Sequence, residues 1–553
     1  MFEGGLFLMN RVALYLQEHL LGEIITSKEA REYFSTDASV FKILPNVVIY
    51  PMHTDDVRKT VRFSHQLSLK GKTLPITARG LGTDQSGAAI GEGLLLIFPA
   101  HLNRLLELNS KTGEVRVEPG LNYGKLQQVL LTHDLFIPTS PTSMEYSTIG
   151  GAIANNAGGD RSHKYGKTLD YVKSLKVVLS NGDLIETKRI SKRELNKKMG
   201  LTTLEGDIYR SIDRLIEENA SIIASINPAV AKNSAGYNIH LVKQKNGSFD
   251  LTPLFVGSQG TLGIITEANL LTMPRRPKSS LTIASFNDLN SLTETLDFIN
   301  KFPEVPSAVE LVDDRLLNLV KTVHPNLLKN IFETVESKFI LLVEFDNPSV
   351  RLRAKLTKRL DKYLKEKGLS FETSVDPIRI EEFWKFRRSA TAVLGYLEGS
   401  AKPLPIIDDG IVPVEKFPEF IESLYYLFSQ NDLPIYIFGN AGDGQLHVQP
   451  ILDLNNVGDR QKVFKVMIEY YNLVKQLGGS ISAEHGDGRI RAPFLYAQYG
   501  DQKYEIFSKI KKIFDPQDIL NTGVKFTDNL ESLKPILRKE YNLDSLFNYL
   551  PYV

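Results

Sequence analysis

Arg79–Gly87 reads RGLGTDQSG, with glycine at positions 80, 82 and 87. Glycine has no Cβ, so such a loop can approach a ligand closely and turn backbone N–H groups toward an anion such as a pyrophosphate. A tight turn uses the same residues, and this loop alone leaves both readings open. Two further stretches weigh the choice. Thr148–Gly159, TIGGAIANNAGG, sets four glycines around two adjacent asparagines, which makes a poor core strand but a suitable wall for a flat polar heterocycle. Gly257–Glu267, GSQGTLGIITE, joins close-approach glycines to a β-branched run that can continue as a strand. Three such stretches in one half of the chain point to one extended ligand. None is a GxGxxG on a strand-to-helix turn with an acidic residue after the next strand, which disfavours a tightly held nicotinamide dinucleotide.

Around these loops the hydrophobic pattern mixes helices and strands. Thr54 or Asp55 can cap a helix carrying Val57 and Val61, while Leu74–Thr77 and Leu94–Phe98 read as strands and alternation marks another at Glu114–Glu118. Leu126, Val129, Leu130 and His133 follow the spacing of a buried helix face. Ser174–Leu179 and Leu184–Thr187 flank Asn181-Gly182-Asp183, whose tolerance of positive φ suits a hairpin, so the sheets are partly antiparallel. After Pro274 the run Arg275, Arg276, Pro277, Lys278 is a polar break. Beyond it Phe339–Phe345 and Ile435–Phe438 read as buried strands, and Val463, Met467, Tyr470, Val474 and Leu477 as one helix face ended by Gly478-Gly479. The expected fold is α+β, with an N-terminal helical segment (1–40), a first domain (41–275), a second domain (276–525) and a C-terminal tail (526–553).

At 553 residues the chain exceeds one ordinary core. With 24% charged residues and a formal net charge of +1, no global field draws in nucleic acid or an anionic membrane. Cysteine is absent, which removes disulfides, thiolate metal sites, a catalytic thiol and any iron–sulfur cluster ligated by this chain. Met1–Leu16 is fairly apolar, but Asn10 and Arg11 interrupt it and it has neither the length of a span nor a leader-like cleavage site. The expected location is cytoplasmic, with peripheral attachment to a membrane as its variant.

Chemistry concentrates in the second half. Only His447 and His485 of the ten histidines lie beyond His324, and both sit in glycine-rich segments after expected strands. Asn440–His447 is NAGDGQLH and Ser482–Arg491 is SAEHGDGRIR, so one fold can gather two imidazoles, a carboxylate and a carboxamide. Histidine with glutamate suits a divalent metal, although a lone histidine more often donates to a backbone carbonyl.

The order RGLGTDQSG, PTSPTSMEYSTIGGAIANNAGG, KNSAGYN and GSQGTLGIITEA resembles the FAD domain of the vanillyl-alcohol oxidase / p-cresol methylhydroxylase (PCMH) superfamily. GDGQLHVQPILDL, SAEHGDGRIR and FDPQDILNTG resemble the C-terminal domain of FAD-linked D-lactate, glycolate and D-2-hydroxyglutarate dehydrogenases. The resemblance implies a PCMH-type FAD-binding domain followed by an FAD-linked oxidase substrate domain. Gly80, Gly82 and Thr83 would hold the pyrophosphate, with Arg79, Asp84 and Gln85 adjoining. Ser143, Gly150, Gly151, Asn156 and Gly158 would line pyrophosphate and flavin, Gly260 and Ile264 would lie beside the cofactor, the latter near adenine, and Asn521 would return to the flavin. The family often has serine at Asp84 and glutamate at Gln259, and an acid beside a pyrophosphate repels it unless its oxygens are satisfied elsewhere. Without cysteine or a histidine in the first loop, the FAD is expected to be non-covalent.

The same resemblance makes His447 and Glu484 metal ligands, His485 the catalytic base and Arg387 the grip on the substrate carboxylate, with Thr391 and Lys402 as secondary substrate contacts. Asn440 stands where the family has a histidine ligand. A carboxamide is a weaker, harder ligand, so zinc would be held less tightly and Mn²⁺, Mg²⁺ or no metal becomes favoured. The implied reaction is oxidation of a D-2-hydroxy acid to the 2-oxo acid. A quinone, a cytochrome, an electron-transfer flavoprotein or an iron–sulfur protein would serve as electron acceptor, and a homodimer is one assembly this reading admits. The rival readings are a flavoprotein subunit that depends on an iron–sulfur partner or has lost catalysis, and a non-redox flavin enzyme of the same fold.

Overall fold

Val47–Tyr50 (β2), Ile76–Arg79 (β3) and Leu94–Ile97 (β4) are short branched runs that lie parallel to one another, in the order β2-β4-β3, and Glu23–Ile25 (β1) adds an antiparallel edge on β2. The computed structural model describes residues 2–276, 278–323, 337–392, 397, 399–527 and 529–543, without the side chains of 2–10 and 390–392. Its mixture of sheets and helices is the α+β arrangement expected. The first 40 residues, expected to be helical, also supply β1 after the helix Phe2–His19.

A second sheet is antiparallel throughout, in the order β5-β6-β10-β8-β9, from Leu105–Asn109 (β5), Glu114–Val117 (β6), Val172–Val178 (β8), Leu184–Thr187 (β9) and Ile264–Leu271 (β10). The β8–β9 hairpin turns through Gly182 at φ +84°, as its Asn-Gly-Asp sequence requires. Leu135–Phe136 (β7) pairs with Met273–Pro274 (β11) at the polar break.

The second half is built on a larger antiparallel sheet. Its strands are Ser280–Phe286 (β12), Ala308–Asp313 (β13), Phe339–Phe345 (β14), Phe371–Ser374 (β15), Lys402–Pro403 (β16), Gly410–Ile411 (β17), Ile435–Asn440 (β18) and Gln445–Leu452 (β19). They run β15-β12-β14-β13-β18-β19-β16, with β17 also on β19. Every residue of β12, β13, β14 and β18 is buried, which explains why these strands read as continuous apolar runs rather than alternating ones.

The two halves share one core. A single hydrophobic cluster runs from Val115, Leu126 and Tyr209 to Val309, Phe420 and Met467. The long helix Ala492–Phe514, broken at Gly500, packs back on Leu204–Glu218, and Leu520 then bridges to Ile76 of β3.

Three local expectations are corrected. The helix Thr54–Ser68 starts at Thr54 itself, and its N-cap His53 makes no side-chain bond. The third strand begins at Ile76 rather than Leu74. The helix Tyr123–Leu131 buries Tyr123, Leu126 and Leu130, whereas Val129 is exposed and His133 lies past its end.

Candidate active site

β3 ends at Arg79 and delivers the chain into the first glycine loop, where Gly82 and Gly87 take φ of +82° and +80°. The short helix Ile149–Asn155 meets this loop end-on, with Thr148 as its cap accepting from Gly151 N at 3.1 Å. A Cβ on residue 80 would come within 2.4 Å of Thr148 Oγ1, so loop and helix cap can approach this closely only with glycine there. Asp84 turns its carboxylate into the protein. It accepts from Ser86 N at 3.0 Å, Ala88 N at 2.7 Å and Asn155 Nδ2 at 2.9 Å, which satisfies the charge away from an anionic ligand. Gln259 ties the third glycine stretch to both neighbours. Its Nε2 donates to Ser86 Oγ and Asn155 Oδ1, and its Oε1 accepts from Gly488 N. A glutamate could not make the two donations.

Between the two halves lies a cavity of about 1230 Å³, above the usual ~300–1,000 Å³ of a small-ligand pocket and roomy enough for a dinucleotide with a small substrate. Arg79, Gly80, Gly82, Thr83, Asp84 and Gln85 line it from the first loop, Ser143, Gly150, Gly151 and Gly158 from the second stretch, and Gly260 and Ile264 from the third. Buried Gln85 Oε1 has no hydrogen-bond partner among the described residues. The Cβ-less walls, the room and this unsatisfied acceptor fit FAD.

Two expected cofactor contacts stand elsewhere. Asn156, at φ +56°, caps the helix C-terminus; it accepts from Leu169 N and donates to Ser234 Oγ instead of facing the cavity, and Asn155 lines the cavity in its place. Asn521 sits behind the wall, where Nδ2 donates to Ala88 O and Gln259 O and Oδ1 accepts from Thr77 Oγ1. It braces the cofactor loops without lining the cavity.

At the other end Arg387, Lys402, Asn440, His447, Glu484 and His485 converge on the same space. The side chain of Thr391 lies outside the described residues. β18 and β19 carry Asn440 and His447, and the 482–486 loop carries Glu484 and His485. Asp409 shapes that loop: its buried carboxylate accepts from Ser482 Oγ, Glu484 N and His485 N, and from Gln445 Nε2. The two glycine-rich worlds touch at Gly158, where a Cβ would lie 2.0 Å from Glu484 Oε2.

Asp408 orients His447 and faces His485. His447 Nδ1 lies 2.8 Å from its Oδ1, His485 Nδ1 lies 3.4 Å from its Oδ2 without a formed hydrogen bond, and the rings stack at 5.2 Å. Burial opposes charge on His447, but Asp408 and then Glu484 outweigh it and push the imidazole up to about 10. His485 is also raised: burial is outweighed by Asp409 and Asp408. His447 Nε2 faces Glu484 Oε1 at 3.5 Å. Asn440 donates Nδ2 to Ser162 Oγ and leaves a buried Oδ1 without a partner among the described residues. The ligand atoms of Asp408, His447 and His485, and those of Asp409, Glu484 and His485, lie within 4.8 Å of one another, and Asn440 lines the same space, so the donor chemistry is of a kind that suits a divalent cation.

Arg387 is buried and held by Glu310, with Nη2 at 2.7 Å and Nε at 2.9 Å from Glu310 Oε2, and its guanidinium stands 5.3 Å over the Phe438 ring. Burial raises Glu310 to about 7 despite the arginine. Lys402 donates to Leu397 O. Glu310, Phe438 and Gln449 all line the cavity and were not singled out from sequence. A signal for Glu310 existed, since it is an acid in the middle of the apolar run of β13 and a buried charge needs a partner. Lys232 was also passed over as a charge. Its buried Nζ donates to Ser162 Oγ and lies 3.1 Å from Asp443 Oδ2 and 3.6 Å from Glu484 Oε2.

Comparison with known proteins agrees with this anatomy. Residues 45–188 match the family described as FAD binding domain, and residues 276–524 match FAD linked oxidases, C-terminal domain. The chain is 30% identical to a D-2-hydroxyglutarate dehydrogenase of Escherichia coli K12 over 92% of its own length and 50% of the relative. It is 29% identical to glycolate oxidase subunit GlcD of Bacillus subtilis 168, covering 90% of this chain and 93% of the relative. It thus spans about half the length of the hydroxyglutarate dehydrogenases it matches. A 4-ethylphenol oxidase from Gulosibacter chungangensis shares the fold with a TM-score of 0.66 over 96% of this chain and 98% of its own, at 17% identity. No described helix is long and apolar enough to cross a membrane. The chain thus carries an FAD binding domain followed by an FAD linked oxidase C-terminal domain, arranged around one shared cavity.

Proposed function

We propose that the chain oxidises a D-2-hydroxy acid to the 2-oxo acid. The observation that carries this reading is the convergence of Arg387, His447, Glu484 and His485 on the cavity that the glycine loops line. When bound, FAD would supply the acceptor for the hydrogen leaving Cα. Arg387, held in place by Glu310, anchors the substrate carboxylate with a planar guanidinium, which fixes the orientation of Cα. His485 takes the hydroxyl proton, and the Asp408 carboxylate 3.4 Å from its Nδ1 favours the imidazolium that forms. His447, Glu484 and Asn440 would hold a divalent cation, Mn²⁺ or Zn²⁺, whose chemistry there is to polarise the substrate's hydroxyl and carboxylate oxygens. Lys402 borders the same space as a second cationic contact.

The test is anaerobic bleaching of the purified yellow protein by a panel of D- and L-2-hydroxy acids, before and after chelation. Stoichiometric bleaching by one D-acid is the expected result, and its loss on chelation would assign the cation. No bleaching by any acid would overturn the reading. A second reading, a flavoprotein subunit that depends on a partner, draws support from the subunit name of the Bacillus relative. It predicts activity only when an electron-accepting partner protein is added.

A further inference from the structure

The cavity has a wall that neither family match includes. Glu540, Tyr541 and Asn542 line it beside Ala38 and Gln85, yet the matched stretches are 45–188 and 276–524. Residues 540–542 reach this position because residues 536–538 pair with a segment near the chain start. Leu537 bridges Phe41 antiparallel, Lys42 N donates to Ile536 O at 2.8 Å, and Arg538 N donates to Val40 O at 2.9 Å. Side chains reinforce the pairing. Buried Arg538 donates Nη1 to Ser39 O at 3.3 Å and Nη2 to Asn542 O at 2.5 Å, its guanidinium lies 5.1 Å over the Tyr541 ring, and Tyr541 OH donates to Ala38 O at 2.8 Å.

The early segment in turn holds the first glycine loop. Ala38 N donates to Gly82 O at 2.9 Å, and Phe41 packs so tightly on Gly87 that a Cβ there would lie 2.8 Å from its ring. The order of support is therefore tail, then 38–42, then the loop that faces the cofactor. An interaction that exists only while the tail is seated will favour the closed loop, and a ligand bound under that loop gains the same free energy by linkage.

We propose that residues 536–542 and 38–42 form a clamp that is part of the FAD site, and that this clamp sets how long the cofactor stays bound. Tyr541 supplies the cavity-facing surface and Arg538 the fastening. The proposal concerns FAD retention and holds whichever substrate is oxidised.

The experiment compares the wild-type holoprotein, a chain ending after Thr527, and the full-length double variant Arg538→Ala/Tyr541→Ala. FAD release is followed by flavin fluorescence after dilution, and melting temperatures are measured with and without added FAD. The expected result is at least tenfold faster FAD release in both variants, with a smaller stabilisation by FAD than in the wild type. If the truncated chain does not fold, the double variant decides. Wild-type release in a folded variant overturns the proposal. So does an equal fall of both melting temperatures with FAD release unchanged, which would make the tail a brace for the fold alone.

Discussion

His485 and Asp313 show two uses of an ionisable group. His485 lines the cavity, and under the proposed reaction a base for the substrate hydroxyl should contribute about 10²–10⁴-fold. His485→Ala is expected to slow flavin reduction by that factor while leaving the absorbance of bound FAD in place; an unchanged reduction rate would remove the histidine from the mechanism. Asp313 does not line the cavity. It is buried at the end of β13, accepts from Leu316 N and Ile437 N, and is pushed by burial to about 7 from the ordinary 3.8. Between those values the folded protein keeps a proton that the unfolded chain gives up, so this group's contribution to stability is present below 3.8 and is lost as pH rises through 7. Asp313→Asn removes the titration. The melting temperature of the variant relative to wild type should therefore rise from pH 5 to pH 7.5, and a flat or falling difference would refute the account.

At the scale of the element, the 482–486 loop depends on one residue of its neighbour. Asp409, itself at φ +79°, accepts two backbone amides and a hydroxyl of that loop. Each buried donor left without an acceptor costs roughly 1–3 kcal/mol. Asp409→Ala is thus expected to lower stability by about 3–5 kcal/mol and to misplace Glu484 and His485, with hydroxy-acid turnover falling at least a hundredfold. A calorimetric melt and a turnover assay on the same preparation check both halves of that statement. The sequence did not show which loop Asp409 supports, because the acceptor and its donors are more than seventy residues apart.

For the whole molecule, the polar break after Pro274 suggests two separable units, but the packing argues against separability. Helix Ala492–Phe514 lies on Leu204–Glu218, Lys525 Nζ donates to Gly236 O inside the first half, and one hydrophobic cluster spans both halves. A fragment ending at residue 275 would expose that apolar surface, and burial is the main source of stability. It should be insoluble or bind no FAD, whereas a soluble fragment that binds FAD would show that the cores are independent.

The sequence by itself determined that three glycine stretches meet one extended ligand, that β14 and β18 are buried strands, and that His447, Glu484 and His485 belong together. Each of these is local chemistry, carried by glycine's freedom, by unbroken apolar runs and by side chains able to ligate or take a proton. Only the tertiary structure decided that Glu310 holds Arg387, that Asn156 and Asn521 brace loops instead of facing the cavity, and that residues 540–542 line the cavity beside residue 38. Those facts depend on which distant groups a buried donor or acceptor finds once the chain has collapsed. A polar side chain shows in the sequence that it needs a partner, and the packing of the whole molecule selects which one it gets.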